Sequence, residues 1–313
     1  MPLSTQGYRI SEAKMMTETG GITIRTDEKY RRKSPFVDLW KHLKRNKLAV
    51  TGLAIVTVFI IVAIFAPVLA PYDPYKQDLT IRLLPPGSPG HLLGTDEYGR
   101  DMLSRLIYGA RLSLLVGFSS VGFGLAFGVI LGLLAGYYST LDSIIMRIVD
   151  ILLAFPGVLL ALAIVSALGP GIANVIIAVG VWSIPTISRV VRGTVLYIKE
   201  MDYIAAAKAL GETDFMILFK EILPNCVSSI VVYATMRLAT AILSAATLSF
   251  LGLGAQPPAA EWGAMASTGR NYIFQAPYLT LLPGFAIILV VFGFNSLGDG
   301  LRDALDPNLK NAL

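Results

Sequence analysis

At 313 residues the chain has the length of two ordinary soluble domains, but 54% of its residues are apolar against 15% charged, and a mean hydropathy of +0.64 marks a protein that lives in lipid. The same figures exclude a disordered chain and a nucleic-acid-binding one, which need high net charge at low hydrophobicity or a concentrated basic face. The single cysteine, Cys226, rules out an intramolecular disulfide and any multi-cysteine metal site, and two histidines, His42 and His91, leave little for metal chemistry.

Crossing the ~30 Å hydrocarbon core takes about 20 apolar residues in a helix. The charge-free run from Leu48 to Tyr72 predicts a first helix at 48–69, behind a polar tail, residues 1–47, that is too long for a secretory leader. A second run, Leu112 to Leu141, predicts helix two at 110–136. The third, Ile151 to Ser188, would be ~57 Å long as one helix at 1.5 Å per residue and must therefore fold back. Gly169-Pro170-Gly171 is its turn signal, which gives helix three at 144–167 and helix four at 172–191. Helices at 226–250 and 278–297 complete an all-α, polytopic chain of six transmembrane helices occupying residues 48–313.

Orientation follows from Lys and Arg near the span ends, because the cytoplasmic side carries the excess. Eleven precede the first helix, and Arg147, Arg189, Arg192, Lys199, Lys208, Lys220, Arg302 and Lys310 fall on the same side. Lys76, Arg82, Arg100, Arg105, Arg111 and Arg270 lie opposite, among several acids. Both termini are expected in the cytoplasm, and the net charge of +5 then needs no anionic partner to explain it.

Three connecting segments stand out. The external segment 71–110 is rich in Pro and Gly and then amphipathic from Asp101 to Arg111, predicting either a short helix along the outer interface or a plain connector. External segment 251–277 holds Trp262 and Tyr272, aromatics expected at headgroup level. The cytoplasmic segment 193–224 predicts a hairpin: a small-residue helix at Tyr203–Leu210, a turn at Gly211, and a second helix from Phe215 to Ile222 that Leu223-Pro224 should end. Its alanines suit docking into a partner's groove, although a hairpin lying on the membrane surface fits the same pattern.

Catalytic signatures are missing. The sequence has no GxxxxGK[ST], HExxH or GxSxG, and no carboxylate pair within an apolar span, so the chain is not read as an enzyme. Gly124, Gly128, Gly132 and Gly136 stack on one face of helix two and predict close approach of a neighbouring backbone. Asp150 and Arg147 are spaced for an i,i+3 ion pair. Arg237 falls near the bilayer midplane, where an arginine costs about 2.5–3.5 kcal/mol to insert, so with Ser244 nearby it is a candidate for the translocation pathway or for a pair with another subunit's acid.

The cytoplasmic hairpin resembles the EAA loop of binding-protein-dependent ABC importer permeases, with Ala205-Ala206-Ala207, Gly211 and Leu223-Pro224 at its pattern positions. The stretches from His91 to Asp101, Leu248 to Gly254, Glu261-Trp262-Gly263 and Phe294 to Pro307 are similar to the C-type inner-membrane permease of the dipeptide, oligopeptide and nickel importers. The resemblance covers about Phe36 to Leu309 and departs from the family at Ala205 and Ala245, where Glu is usual. It implies a bacterial or archaeal cell-membrane subunit that pairs with a B-type permease, sits on two ABC ATPase subunits and receives cargo from an extracytoplasmic substrate-binding protein. ATP and Mg would be bound by the ATPases, with no cofactor in this chain. Peptides are the expected cargo, with nickel complexes or oligosaccharides as alternatives inside the family and a passive channel as the rival outside it.

The topology has a direct test. In a Cys226→Ser background, cysteines placed at Lys33 and Ser88 should differ in labelling by an impermeant thiol reagent added outside, with only Ser88→Cys reacting; labelling of both or neither contradicts the orientation.

Overall fold

The computed structural model describes Leu43, Lys44 and residues 46–305, so most of the basic tail and the last turn of the C-terminal motif lie outside the described residues. Among these residues the fold is helical with only isolated bridges. Five helices are long and apolar enough to cross a membrane, or six spans if one bent pair is counted.

Helix α1, Lys47–Ile64, starts where the Asn46 side chain accepts from Leu48 N–H and Ala49 N–H, and continues through Phe65 into the short α2, Ala66–Leu69. It packs on the last helix at small residues: a Cβ on Gly52 would lie 2.7 Å from the Gly293 carbonyl oxygen. Helix α3, Met102–Tyr137, is 36 residues long, or ~54 Å at 1.5 Å per residue. The predicted helix two at 110–136 is therefore too short, and residues 102–111 begin this same helix rather than a separate interfacial one. Residues 102–111 alternate because Met102 and Arg105 are buried beneath the outer loop, where Arg105 donates to the Pro74 carbonyl at 3.1 Å.

The glycine face of α3 meets α6, Ile172–Ile198. Gly124 lies against Ser183 and the Gly180 carbonyl, Gly128 against Ile187, Gly132 against Val191 and the Ser188 carbonyl, and Gly136 against Val195. Between α3 and α6 the predicted single helix three is instead two, α4 (Ser139–Leu153) and α5 (Gly157–Leu168), bent by 90°. Pro156 lacks an N–H and holds Phe155 out of the helical region, so the ladder stops there. The expected turn holds: Gly169 at φ +92° ends α5, and Asn174 Nδ2 donates to the exposed Leu168 and Gly169 carbonyls.

Asp150 does not pair with Arg147. It accepts from Arg189 of α6 at 2.5 Å, while Asp142 takes Arg192 through both its oxygens, so the acids of α4 serve the neighbouring helix rather than their own.

After the short α7, Asp202–Ala209, and α8, Asp214–Met216, the chain passes through one π turn, Ile217–Ile222, into α9, Leu223–Phe250. Pro224 does not end a helix: Asp214–Phe250 runs as one. Proline in a helix is destabilising because its ring meets the carbonyl four residues back. Here Leu223 N–H reaches five residues back, to Leu218 O, and the widened turn accommodates the ring. Helices α10, Trp262–Gly269, and α11, Tyr278–Leu305, complete the chain. The predictions of 191 and 297 as ends of helices four and six fell short because charge-free runs measure lipid contact, whereas these helices continue into polar surroundings.

Steric demand at the α3–α6 seam is testable by thermal denaturation in detergent. Gly132→Leu should lower stability by about 1–3 kcal/mol through overpacking, whereas Gly122→Ala, with open space around it, should raise it by up to about 1 kcal/mol.

Candidate functional site

The hairpin at 193–224 is built by α7 and the helix that follows. Gly211 adopts φ +84° and donates to the Lys208 carbonyl at 3.0 Å, while Glu212 N–H reaches the Ala207 carbonyl at 3.1 Å. Together these close α7 with the two-bond left-handed cap that glycine favours, as the sequence predicts at this position. Thr213 Oγ1 then accepts from Met216 N–H and opens the next helical turn. The three alanines do not share a face. Ala207 is buried with Ile204 in a cluster containing Ile217, Leu218, Ile222 and Cys226, whereas Ala205 and Ala206 are exposed. Successive helical residues point about 100° apart, so a run of three alanines serves the hairpin's own core and its outer surface at once. Leu223 is half-buried and Pro224 exposed.

The outward rim is apolar. Leu210 is 84% exposed and Phe215 is 68% exposed, with the Phe219 ring 4.5 Å from that of Phe215. Ala205 brings no carboxylate to this rim. Burial pushes the Tyr203 phenol pKa up on the same helix, helped by the nearby Glu221.

Polar contacts fasten the hairpin to the inner end of α3. The Tyr137 hydroxyl donates to Asp214 Oδ1 at 2.6 Å, the Lys208 ammonium sits 5.3 Å from the Tyr137 ring centre, and Lys199 Nζ donates to the Gly136 carbonyl at 3.1 Å. Sequence reasoning treats Tyr137 only as the end of a span. Its role is invisible there because Asp214 lies 77 residues away.

Arg237 is at the midpoint of α9 and 9% exposed. Its Nη2 donates to Ser183 Oγ at 3.0 Å, its guanidinium carbon lies 5.0 Å from the Trp182 ring centre, and its Nε has no hydrogen-bond partner among the described residues. Among the described residues no carboxylate comes within ion-pair distance. Trp182 in turn covers Gly157, the first residue after the α4–α5 break, where any side chain would overlap the indole. Ser244, predicted beside Arg237, is buried and donates to the Thr240 carbonyl of its own helix at 2.7 Å. An open cavity of about 450 Å³ lies further down α9, lined by Val190, Ser229, Tyr233, Met236, Arg302 and Leu305 among others.

At the N-terminal end of α3 the preceding segment forms a folded layer. Asp101 caps the helix by accepting from Ser104 N–H at 2.7 Å, and His91 Nδ1 lies 2.9 Å from its other oxygen. Asp96 holds Arg100 at 2.6 Å and Arg105 at 3.3 Å, and the Tyr278 hydroxyl bridges to the Leu84 and Thr95 carbonyls. Burial raises the Glu97 pKa, with Asp96 adding to the effect. Trp262 packs into the protein interior: it is 1% exposed and lies against Gly109, and its indole N–H donates to the Leu106 carbonyl at 3.1 Å. Beside it Glu261 caps α10 through Ala264 N–H, and burial raises its pKa.

The described residues thus form a set of long apolar helices that includes one bent pair, with a hairpin fastened to the C-terminal end of α3 and a folded layer over its N-terminal end. The sequence profile described as binding-protein-dependent transport system inner membrane component matches residues 124–311, and that of the N-terminal transmembrane domain of oligopeptide transport permease C matches 34–86. The chain is 51% identical to the dipeptide transport system permease protein DppC of Alkalihalophilus pseudofirmus, over 91% of this chain and 94% of that one. It is 49% identical to the glutathione transport system permease protein GsiD of Pectobacterium atrosepticum, over 89% of this chain and 93% of that one. A chain of the MetNI methionine ABC transporter, solved in inward-facing conformations, superposes with a TM-score of 0.53 at 22% identity, covering 66% of this chain and 98% of its own, and so shares the fold. The chain belongs to the family of binding-protein-dependent transport system inner membrane components, in its C-type permease branch.

Removing the Tyr137 hydroxyl should loosen the hairpin without unfolding the spans. In Tyr137→Phe, amide hydrogen exchange in 199–214 should accelerate several-fold while α3 and α6 exchange as before; unchanged exchange in the hairpin would show that the bond to Asp214 holds nothing.

Proposed function

We propose that this chain is one of the two membrane subunits of an ATP-driven importer of small peptides, forming half of the translocation pathway. The observation that carries the reading is the half-identity to peptide-system permeases across nine-tenths of both chains. The B-type permease is its membrane partner, an extracytoplasmic binding protein delivers cargo to the outer layer, and two ABC ATPases bind ATP and Mg beneath the pair. The chain contributes no catalytic group. Its hairpin rim, Ala205, Ala206, Leu210 and Phe215, seats in an ATPase groove, while Ala207 and Gly211 shape the hairpin. Leu223 and Pro224 continue it into α9. Both termini and the hairpin face the cytoplasm, in accord with the charge asymmetry of the sequence.

Force on the rim reaches the membrane through Tyr137 and Lys199, whose partners Asp214 and Gly136 join hairpin to α3. ATP binding and hydrolysis then shift the permease pair between two states to the extent that each state fits one ATPase conformation better. The Glu that the EAA pattern usually has where this chain has Ala205 is not needed for this, since the exposed apolar side chains supply contact area.

The test is reconstitution of the four-part transporter with its binding protein. ATP-dependent uptake of a labelled dipeptide is expected, and uptake of nickel or an oligosaccharide with no di- or tripeptide uptake would overturn the peptide assignment. Ala206→Trp should leave the chain folded and inserted yet lower cargo-stimulated ATP hydrolysis at least about tenfold, the effect of losing ~1.4 kcal/mol of coupling. Ala207→Trp should fail differently, by disrupting the hairpin itself and reducing ATPase copurification.

A further inference from the structure

We propose that Arg237 is a receiving station for the C-terminal carboxylate of the transported peptide, next in sequence to Met236 at the edge of the cavity between α6, α9 and α11. The inference rests on the peptide-import reading and adds to it where, and by which group, the cargo is held inside the membrane. Ser229, Tyr233 and Met236 line the cavity at i, i+4 and i+7 of α9, so they share a face, and Arg237, one turn beyond Tyr233 and next to Met236, borders that face. Arg302 lines the cavity, so its wall carries a cation. The lining alternates small hydroxyls with Val190, Val232 and Met236, which suits a short peptide whose side chains vary.

The arginine is set up for an anion it does not yet have. A guanidinium binds a carboxylate through two parallel N–H groups, and the edge formed by Nε and Nη2 is one such fork. Here Nε is buried without a partner, and Nη2, which has two hydrogens, gives one to the neutral Ser183 hydroxyl. Stacking on Trp182 fixes the plane of the fork. Such a group buried in a span without a counter-charge is expensive, and it is kept where a passing ligand or water-filled path meets it. The Trp182 indole that orients it also rests on Gly157, directly after the Pro156 break, and discontinuous helices of this kind border midplane substrate sites in other transporters. Every unmodified linear peptide presents a C-terminal carboxylate, so this contact is common to all sequences of such cargo.

The experiment reads occupancy without the binding protein. In the assembled transporter carrying Cys226→Ser and Ser229→Cys, alkylation of the new thiol is timed with Ala-Ala or its C-terminal amide added directly to the cytoplasmic side. Ala-Ala should slow alkylation and the amide should not. In Arg237→Gln the concentration of Ala-Ala giving half protection should rise at least about tenfold, the loss of one charge-assisted pair, and Arg237→Lys should fall between. Equal protection by the amide, undiminished protection in Arg237→Gln, or no protection by saturating Ala-Ala would each overturn the proposal. So would loss of the partner permease from purified Arg237→Gln, which would assign the arginine to the subunit interface. Binding-protein-dependent uptake of Ala-Ala by the unsubstituted transporter is measured in parallel: uptake without protection defeats this site alone, and absence of uptake defeats the peptide reading.

Discussion

The contact on which the rest depends is the close approach of α3 to α6 along Gly124, Gly128, Gly132 and Gly136. Lipid tails are as apolar as leucine, so helices in a membrane gain little from hiding apolar surface and associate through dispersion contacts and polar bonds. Four glycines in register let Ser183, Ile187, Val191 and Val195 press against backbone, where any side chain would push the helices apart. The seam also sets the surroundings of Arg237, because Ser183, which takes its Nη2, is the residue under Gly124.

Since α3 is unbroken from Asp101 to Tyr137, this seam makes a single stiff rod that spans from the outer layer to the hairpin. Its outer end is capped by Asp101, itself held by His91, and its inner end is bonded through Tyr137 to Asp214. A rod fixed at both ends can pass a displacement at one end to the other, which is what coupling between two sites requires. The ion pairs Arg189–Asp150 and Arg192–Asp142 bring α4 into the same body.

Two prolines show how context decides an outcome that local chemistry leaves open. Pro156 breaks its helix into two pieces at 90°, whereas Pro224 lies inside a continuous one. Both lack an N–H. After Pro156 the chain can turn because Gly157 lets the Trp182 indole close over the bend. Before Pro224 a π turn widens the backbone while Ile217, Leu218 and Ile222 stay locked in the hairpin core, so the helix absorbs the defect.

The sequence by itself determined that the chain is a helical membrane protein, where most spans lie, that Gly169 and Gly211 are turns, that the glycine face of helix two packs closely, and which family motifs it carries. Each of these is local: a run length, a φ that glycine tolerates, a period along one helix. Tertiary structure alone decided that Asp150 binds Arg189, that Trp262 is core, that Ala207 turns inward while Ala206 turns out, and that Arg237 keeps an unpaired Nε over Trp182. Those facts belong to partners tens to hundreds of residues apart, Trp262 being 156 residues from the Leu106 carbonyl it binds. Composition and period fix which face of a helix is apolar, but which neighbour meets that face follows only when all the helices have packed.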